Sequence, residues 1–78
     1  MDTIKVKELI IDSLDLDVSV SDIGDEQLLS ELIDSINALE LVSVIEDEHN
    51  LSIPDEEIFV VLETVKTISQ YITSHGNA

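Results

Sequence analysis

The chain has 78 residues, with eighteen acidic residues against three basic ones and a formal net charge of −15 at pH 7. This charge disfavours nucleic acid and anionic membranes as partners and favours basic protein surfaces, unless it serves solubility alone. The length allows one small domain. Its core must be aliphatic, because there is one Phe, one Tyr and no Trp. The absence of cysteine excludes disulfides and thiolate metal sites.

The first predicted element is a helix from Thr3 to Leu14, with Asp2 or Thr3 as its N-terminal cap. Its apolar residues recur at helical spacing on one face: Val6, Leu9, Ile10 and Leu14. The residues before it lack the basic and then apolar layout of a secretion signal, and no apolar run is long enough to cross a membrane. We therefore expect a cytoplasmic protein without stable membrane insertion.

Residues 15–27 form a long polar connection after this helix. Four apolar residues recur in it at nearly alternating positions, and we expect them to pack onto the bundle: Leu16, Val18, Val20 and Ile23. The acidic residues of this segment partly imitate a calcium-binding loop. Val20 stands where such a loop needs glycine, and Asp22 where it needs an apolar residue, so we expect no metal site.

A second helix is predicted from Ser35 to His49. Asp34 is a good N-cap, Asn50 suits the left-handed position after the helix, and Pro54 prevents continuation. Leu41 and Ile45 are the expected core residues of this helix.

Two further helices complete the predicted fold. A short one is expected over residues 56–62, and Thr64 can cap a last one in which Val65, Ile68 and Ile72 follow helical spacing. We expect residues 74–78 to form a frayed tail. The predicted class is all-α: a single domain over residues 1–78, a small four-helix bundle of three longer helices and one short helix, with a long loop after the first.

Ser35 is the most informative residue, because it places a hydroxyl at the first turn of the second helix. The free N–H groups and the positive dipole end there would favour a phosphate on that hydroxyl. Catalysis is not expected, because two histidines and no cysteine offer no evident base and nucleophile pair. His49 is interpreted as a partly buried ring at the end of this helix, with a pH-sensitive latch as the alternative.

A set of short motifs follows in order around and after Ser35: residues 32–36 read L-I-D-S-I, residues 39–42 read L-E-L-V, an acidic cluster follows, and residues 53–55 read I-P-D. This combination resembles the phosphopantetheine attachment region of acyl and peptidyl carrier proteins. The similarity extends over nearly the whole chain, and the ordered combination is far more specific than the Asp-Ser pair alone.

The resemblance implies that Ser35, next to Asp34, receives 4′-phosphopantetheine from a phosphopantetheinyl transferase. It also implies a non-catalytic, monomeric carrier that holds acyl or aminoacyl groups as thioesters for biosynthetic enzymes with basic docking patches. In the family, partner enzymes commonly meet the positions of Ile36, Glu40, Glu46 and Asp47.

The pathway implied is fatty-acid, polyketide or related lipid synthesis. The chain departs from the pattern of many fatty-acid carriers, because no glycine shortly precedes the motif and Ile36 replaces the usual leucine. Its L-I-D-S motif looks more like that of stand-alone carriers that serve adenylating ligases or specialised synthases. Two alternatives stay open, an aminoacyl or peptidyl carrier that serves an adenylating ligase and an acidic helical adaptor without a prosthetic group.

Overall fold

The chain folds into four α-helices, described for residues 3–75 by a computed structural model. The helices are α1 (Thr3–Leu14), α2 (Ser35–His49), α3 (Ile58–Val61) and α4 (Val65–His75), and short 3₁₀ turns cover Val20–Asp22, Leu29–Glu31 and Asp55–Glu57. Within this described range there is no β-strand. The predicted all-α bundle, with a long loop after the first helix, is confirmed.

The ends of the longer helices follow from local hydrogen bonds. Asp34 has extended backbone and its Oδ1 accepts a hydrogen bond from the Asn37 backbone N–H at 2.8 Å, so it caps α2 as predicted. Asn50 adopts the left-handed conformation at the other end (φ 52°, ψ 51°). The Oγ1 of Thr64 accepts a hydrogen bond from the Thr67 N–H at 3.1 Å, which caps α4. Thr3, one of the two predicted caps of α1, is instead the first residue of that helix, and the other, Asp2, lies outside the described residues.

The third helix differs from its prediction. Residues 55–57 form a 3₁₀ turn, closed by a hydrogen bond from the Glu57 N–H to the Pro54 carbonyl, and the α-helix begins only at Ile58. Three of the four helical residues are β-branched, which weakens helix propagation, and α3 ends after one turn.

The core lies between the helices and is aliphatic. The α1 helix contacts both α2 and α4, and α3 contacts α4. The most deeply buried side chains are Val6, Ile10, Leu29, Leu41, Ile45, Val65 and Ile68. Leu9 and Leu14, predicted to face the core, pack against it while only partly buried.

The long loop packs its own apolar residues onto this core. Ile23 is buried, and Leu16 and Val18 pack against the core while only partly buried. Val20 is partly buried where the first 3₁₀ turn begins. The loop begins at Asp15, whose left-handed backbone (φ 52°) ends α1. The next residue, Leu16, donates a hydrogen bond from its N–H to the Ile11 carbonyl of the last helical turns.

The C-terminal helix reaches Ser74 and His75, the first two residues of the predicted frayed tail. The rest of that tail lies outside the described residues, and its fraying stays a prediction. None of the helices within residues 3–75 combines the length and apolar character that a bilayer crossing requires.

Tyr71 ties α4 to the segment before α3. Its hydroxyl donates a hydrogen bond to the Ser52 carbonyl at 3.2 Å, and the His75 ring stacks on it with centroids 4.1 Å apart. Burial, and then the nearby carboxylates of Glu57 and Glu46, raise the pKa of Tyr71 above its ordinary value of 10.0.

Stability should therefore depend on this phenol at alkaline pH. A folded-state pKa raised above the unfolded value means that Tyr71 stabilises the fold at pH values below the unfolded pKa, and that this contribution is lost as pH rises through the folded pKa. Tyr71 is the single tyrosine, so absorbance titration of the phenolate reports on it alone. We expect a higher titration midpoint in the folded chain than in the denatured chain. In Glu57→Gln the folded midpoint should move part of the way toward the denatured value. Equal midpoints for folded and denatured chains would contradict the assignment.

Candidate functional site

Ser35 is the first residue of α2, and its side chain is exposed to solvent. Asp34 immediately before it is extended, and its carbonyl accepts the first hydrogen bond of the helix from the Ala38 N–H at 2.9 Å. The start of α2 is thus fixed by main-chain and side-chain bonds to Asp34. The Ser35 hydroxyl is held at the positive end of a 15-residue helix, where a phosphate group is favoured.

An apolar cleft of about 430 Å³ opens beside Ser35. Asp34 and Ser35 lie on its lining together with two other polar residues, Ser30 and Glu63. The apolar lining is Leu28, Leu29, Ile33, Ala38, Phe59 and Leu62. The volume lies in the range of small-molecule sites, which are usually lined by apolar side chains with a small number of polar groups.

Two main-chain hydrogen bonds join the long loop to the segment around the start of α4, and the first of them links two residues of the cleft lining. The Leu29 N–H donates to the Glu63 carbonyl at 2.9 Å, and the Lys66 N–H donates to the Asp25 carbonyl at 2.9 Å. The Lys66 N–H belongs to the first turn of α4, where helix geometry leaves the amide without a partner inside the helix. The long loop satisfies it and is thereby joined to the start of α4.

Two of the three lysines hold the same loop. Lys7 of α1 lies 2.7 Å from the Asp25 carboxylate, with only 12% of its side chain exposed, and Lys66 lies 3.8 Å from Glu26. The first pair is partly shielded from solvent, whereas the second is exposed and contributes little. Both pairs thus join the loop to helices of the bundle, and within residues 3–75 no other acid forms a salt bridge.

The predicted partner-binding residues fall into two groups. Ile36, Glu40 and Asp47 are exposed on α2, and the intervals of four and seven residues place them on one face. Glu46 lies elsewhere, because six residues from Glu40 are not a whole number of turns. It is partly buried, and its Oε2 accepts a hydrogen bond from the Ile53 N–H at 2.8 Å. Glu46 therefore holds the segment before α3.

Asp22, one of the acids that partly imitate a calcium-binding loop, has a structural role. The Asp22 carboxylate accepts hydrogen bonds from the backbone N–H and then from the hydroxyl of Ser19, which lowers the pKa of Asp22 and closes a 3₁₀ turn. Across residues 3–75, no group of three or more acidic or histidine side chains is placed to hold a metal ion. His49 is partly buried at the end of α2, and its role stays a prediction.

The cleft itself was not predicted from the sequence. Leu28, Leu29, Phe59 and Leu62 were not singled out, although one signal was available. Residues 58–61 read I-F-V-V, and four consecutive apolar residues in a single helical turn cannot all face the core. Ile58 and Val61 are buried, while Phe59 and Val60 face outward.

One protein family and two relatives match this chain over most of its length. A family model described as a phosphopantetheine attachment site matches residues 5–72, a range that includes Ser35. An acyl carrier protein of Bdellovibrio bacteriovorus is 33% identical over 75 residues, covering 95% of this chain and 94% of the relative. An acyl carrier protein of Picosynechococcus sp. is 39% identical over 71 residues, covering 85% of each chain.

Proposed function

The chain belongs to the acyl carrier protein family with a phosphopantetheine attachment site, and from this we propose that Ser35 bears the arm and that the cargo is an acyl chain. Acyl carrier proteins are non-catalytic, and membership implies a covalently attached 4′-phosphopantetheine. The arm supplies a thiol that holds an acyl group as a thioester.

The position of Ser35 supports this assignment most directly. Its hydroxyl is exposed, lies at a helix N-terminus that favours phosphate, and lies on the lining of an apolar cleft. On loading, Ser35 Oγ forms a bond to phosphorus as the pyrophosphate bond of coenzyme A breaks. Adenosine 3′,5′-bisphosphate leaves, and the serine proton passes to a base of the transferase.

The apolar lining of the cleft supports an acyl cargo. A hydrocarbon chain tethered at Ser35 can bury its surface against Leu29, Ile33 and Leu62, which favours an acyl over a charged aminoacyl group. We propose fatty-acid, polyketide or related lipid synthesis as the pathway. The cytoplasmic location expected from the sequence stays a prediction.

The exposed acids of α2 support docking onto basic enzymes. Glu40 and Asp47 lie on one face of the helix that begins at Ser35, and no cation pairs with either within residues 3–75. Exposed charges act mainly on the rate of encounter. A flexible arm then keeps the cargo at high effective concentration near the bound enzyme.

Charge reversal of Glu40 and Asp47 to lysine should slow loading by a phosphopantetheinyl transferase while helicity stays unchanged. The defect should be a slower association that shrinks as salt rises. The matched control reverses Glu8 and Asp12, two exposed acids on α1, and so changes the net charge equally. Initial rates at low and high ionic strength provide the measurement. Equal rates for the two double variants at low salt would show that the α2 acids are only a solvated helix face.

A further inference from the structure

The α3 helix exposes two large apolar side chains next to each other. Phe59 is 67% exposed and Val60 is 66% exposed, whereas Ile58 and Val61 on the same turn are buried. Phe59 is also the single phenylalanine of the chain. Aromatic residues contribute much of the binding energy at protein interfaces when a partner removes them from water.

The two side chains lie on different sides of α3. Phe59 lines the cleft that Ser35 also lines. Val60 lines a second, shallower groove between α3 and α4, together with Thr67, Gln70 and Tyr71. Only Phe59 is therefore continuous with the proposed attachment site, although the two residues match in exposure and in position along the chain.

The acidic residues on either side of α3 indicate which class of protein can bind there. Asp55, Glu56 and Glu57 precede the helix, Glu63 follows it, and all four are exposed. A second copy of this chain carries the same net charge of −15 and would be repelled. A basic protein with an apolar pocket complements both the aromatic ring and its acidic surroundings.

We propose that Phe59 is an apolar anchor for the phosphopantetheinyl transferase that loads Ser35. This inference rests on the proposed function. An enzyme whose reacting groups reach Ser35 Oγ has to cover the mouth of the cleft, and Phe59 lies on that cleft. The exposed acids of α2 raise the rate at which the two proteins meet, whereas Phe59 stabilises the complex once it has formed by burying apolar surface.

The test compares loading of the full-length chain by a broad-specificity phosphopantetheinyl transferase with coenzyme A. Initial rates are measured by intact mass over a range of carrier concentrations for the wild type, Phe59→Ser and the matched Val60→Ser. We expect Phe59→Ser to lower kcat/KM roughly tenfold, mainly through KM, and Val60→Ser to lower it by less than about twofold. Since the lost interaction is apolar, the Phe59→Ser defect should persist in high salt.

A conservative variant separates anchoring from a change in the fold. Phe59→Leu keeps an apolar side chain and should recover most of the lost kcat/KM, and circular dichroism melting curves check that all variants fold. Equal kcat/KM for Phe59→Ser and Val60→Ser, whether both stay unchanged or both fall, would overturn the anchor. A wild-type chain that gains no phosphopantetheine would instead overturn the proposed function.

Discussion

Ser35→Ala is expected to abolish the mass gain of one phosphopantetheine that the wild-type chain shows after incubation with coenzyme A and a phosphopantetheinyl transferase. The reason is chemical, since the variant removes the oxygen atom that forms the phosphoester bond. The effect should be complete, because neighbouring hydroxyls lack the position at the start of α2.

Ser30 provides the matched control for this experiment. It is an exposed serine that lines the same cleft, but it lies in the 3₁₀ turn of the loop. Ser30→Ala should gain the full mass of the arm, and peptide mapping of the wild type should place the modification on Ser35. A mass gain retained by Ser35→Ala would move the attachment site elsewhere.

The second large effect concerns the core. Leu41 on α2 is 0% exposed, and Leu39, two residues earlier on the same helix, is 55% exposed. Leu41→Ala should destabilise the fold by about 2–4 kcal/mol through lost burial and a residual cavity, and Leu39→Ala should change stability little. The same reasoning applies to Ile45→Ala, since Ile45 is also buried.

Urea or thermal unfolding monitored by circular dichroism measures both leucine variants against the wild type. A loss of 2–4 kcal/mol is a large part of the free energy of unfolding of a small domain, so the transition should move clearly. Similar losses in Leu41→Ala and Leu39→Ala would mean that the inward face of α2 is wrongly assigned.

Features encoded by neighbouring residues could be predicted from the sequence. Asp34 and Asn50 mark the ends of α2 because each acts on backbone groups within a few residues, and Thr64 marks the start of α4 in the same way. Local chemistry explains why a phosphate on Ser35 would be favoured at the start of α2. Its assignment as the attachment residue came from the resemblance of the ordered motifs around it to carrier proteins, and not from the Asp-Ser pair alone.

Features that depend on chain segments far apart could not be predicted. The cleft exists because the loop around Leu29 meets the turn around Glu63. The resemblance gave Glu46 as a partner-binding position, but its hydrogen bond from the Ile53 N–H depends on the path of the segment after α2. The 3₁₀ start before α3 has a local cause instead, because the acids of residues 55–57 suit a first turn while the β-branched residues that follow propagate a helix poorly.

The main-chain bonds that join Leu29 to Glu63 and Lys66 to Asp25 bear on how such a protein can diverge. Backbone amides and carbonyls are common to nearly all residue types, so a wall held by them tolerates exchange of the side chains on its surface. The exposed Leu28 side chain on the cleft lining can therefore vary in size while the frame around the cleft persists. Because the backbone holds the frame, single substitutions in the lining can change which cargo the cleft accepts without a change of fold.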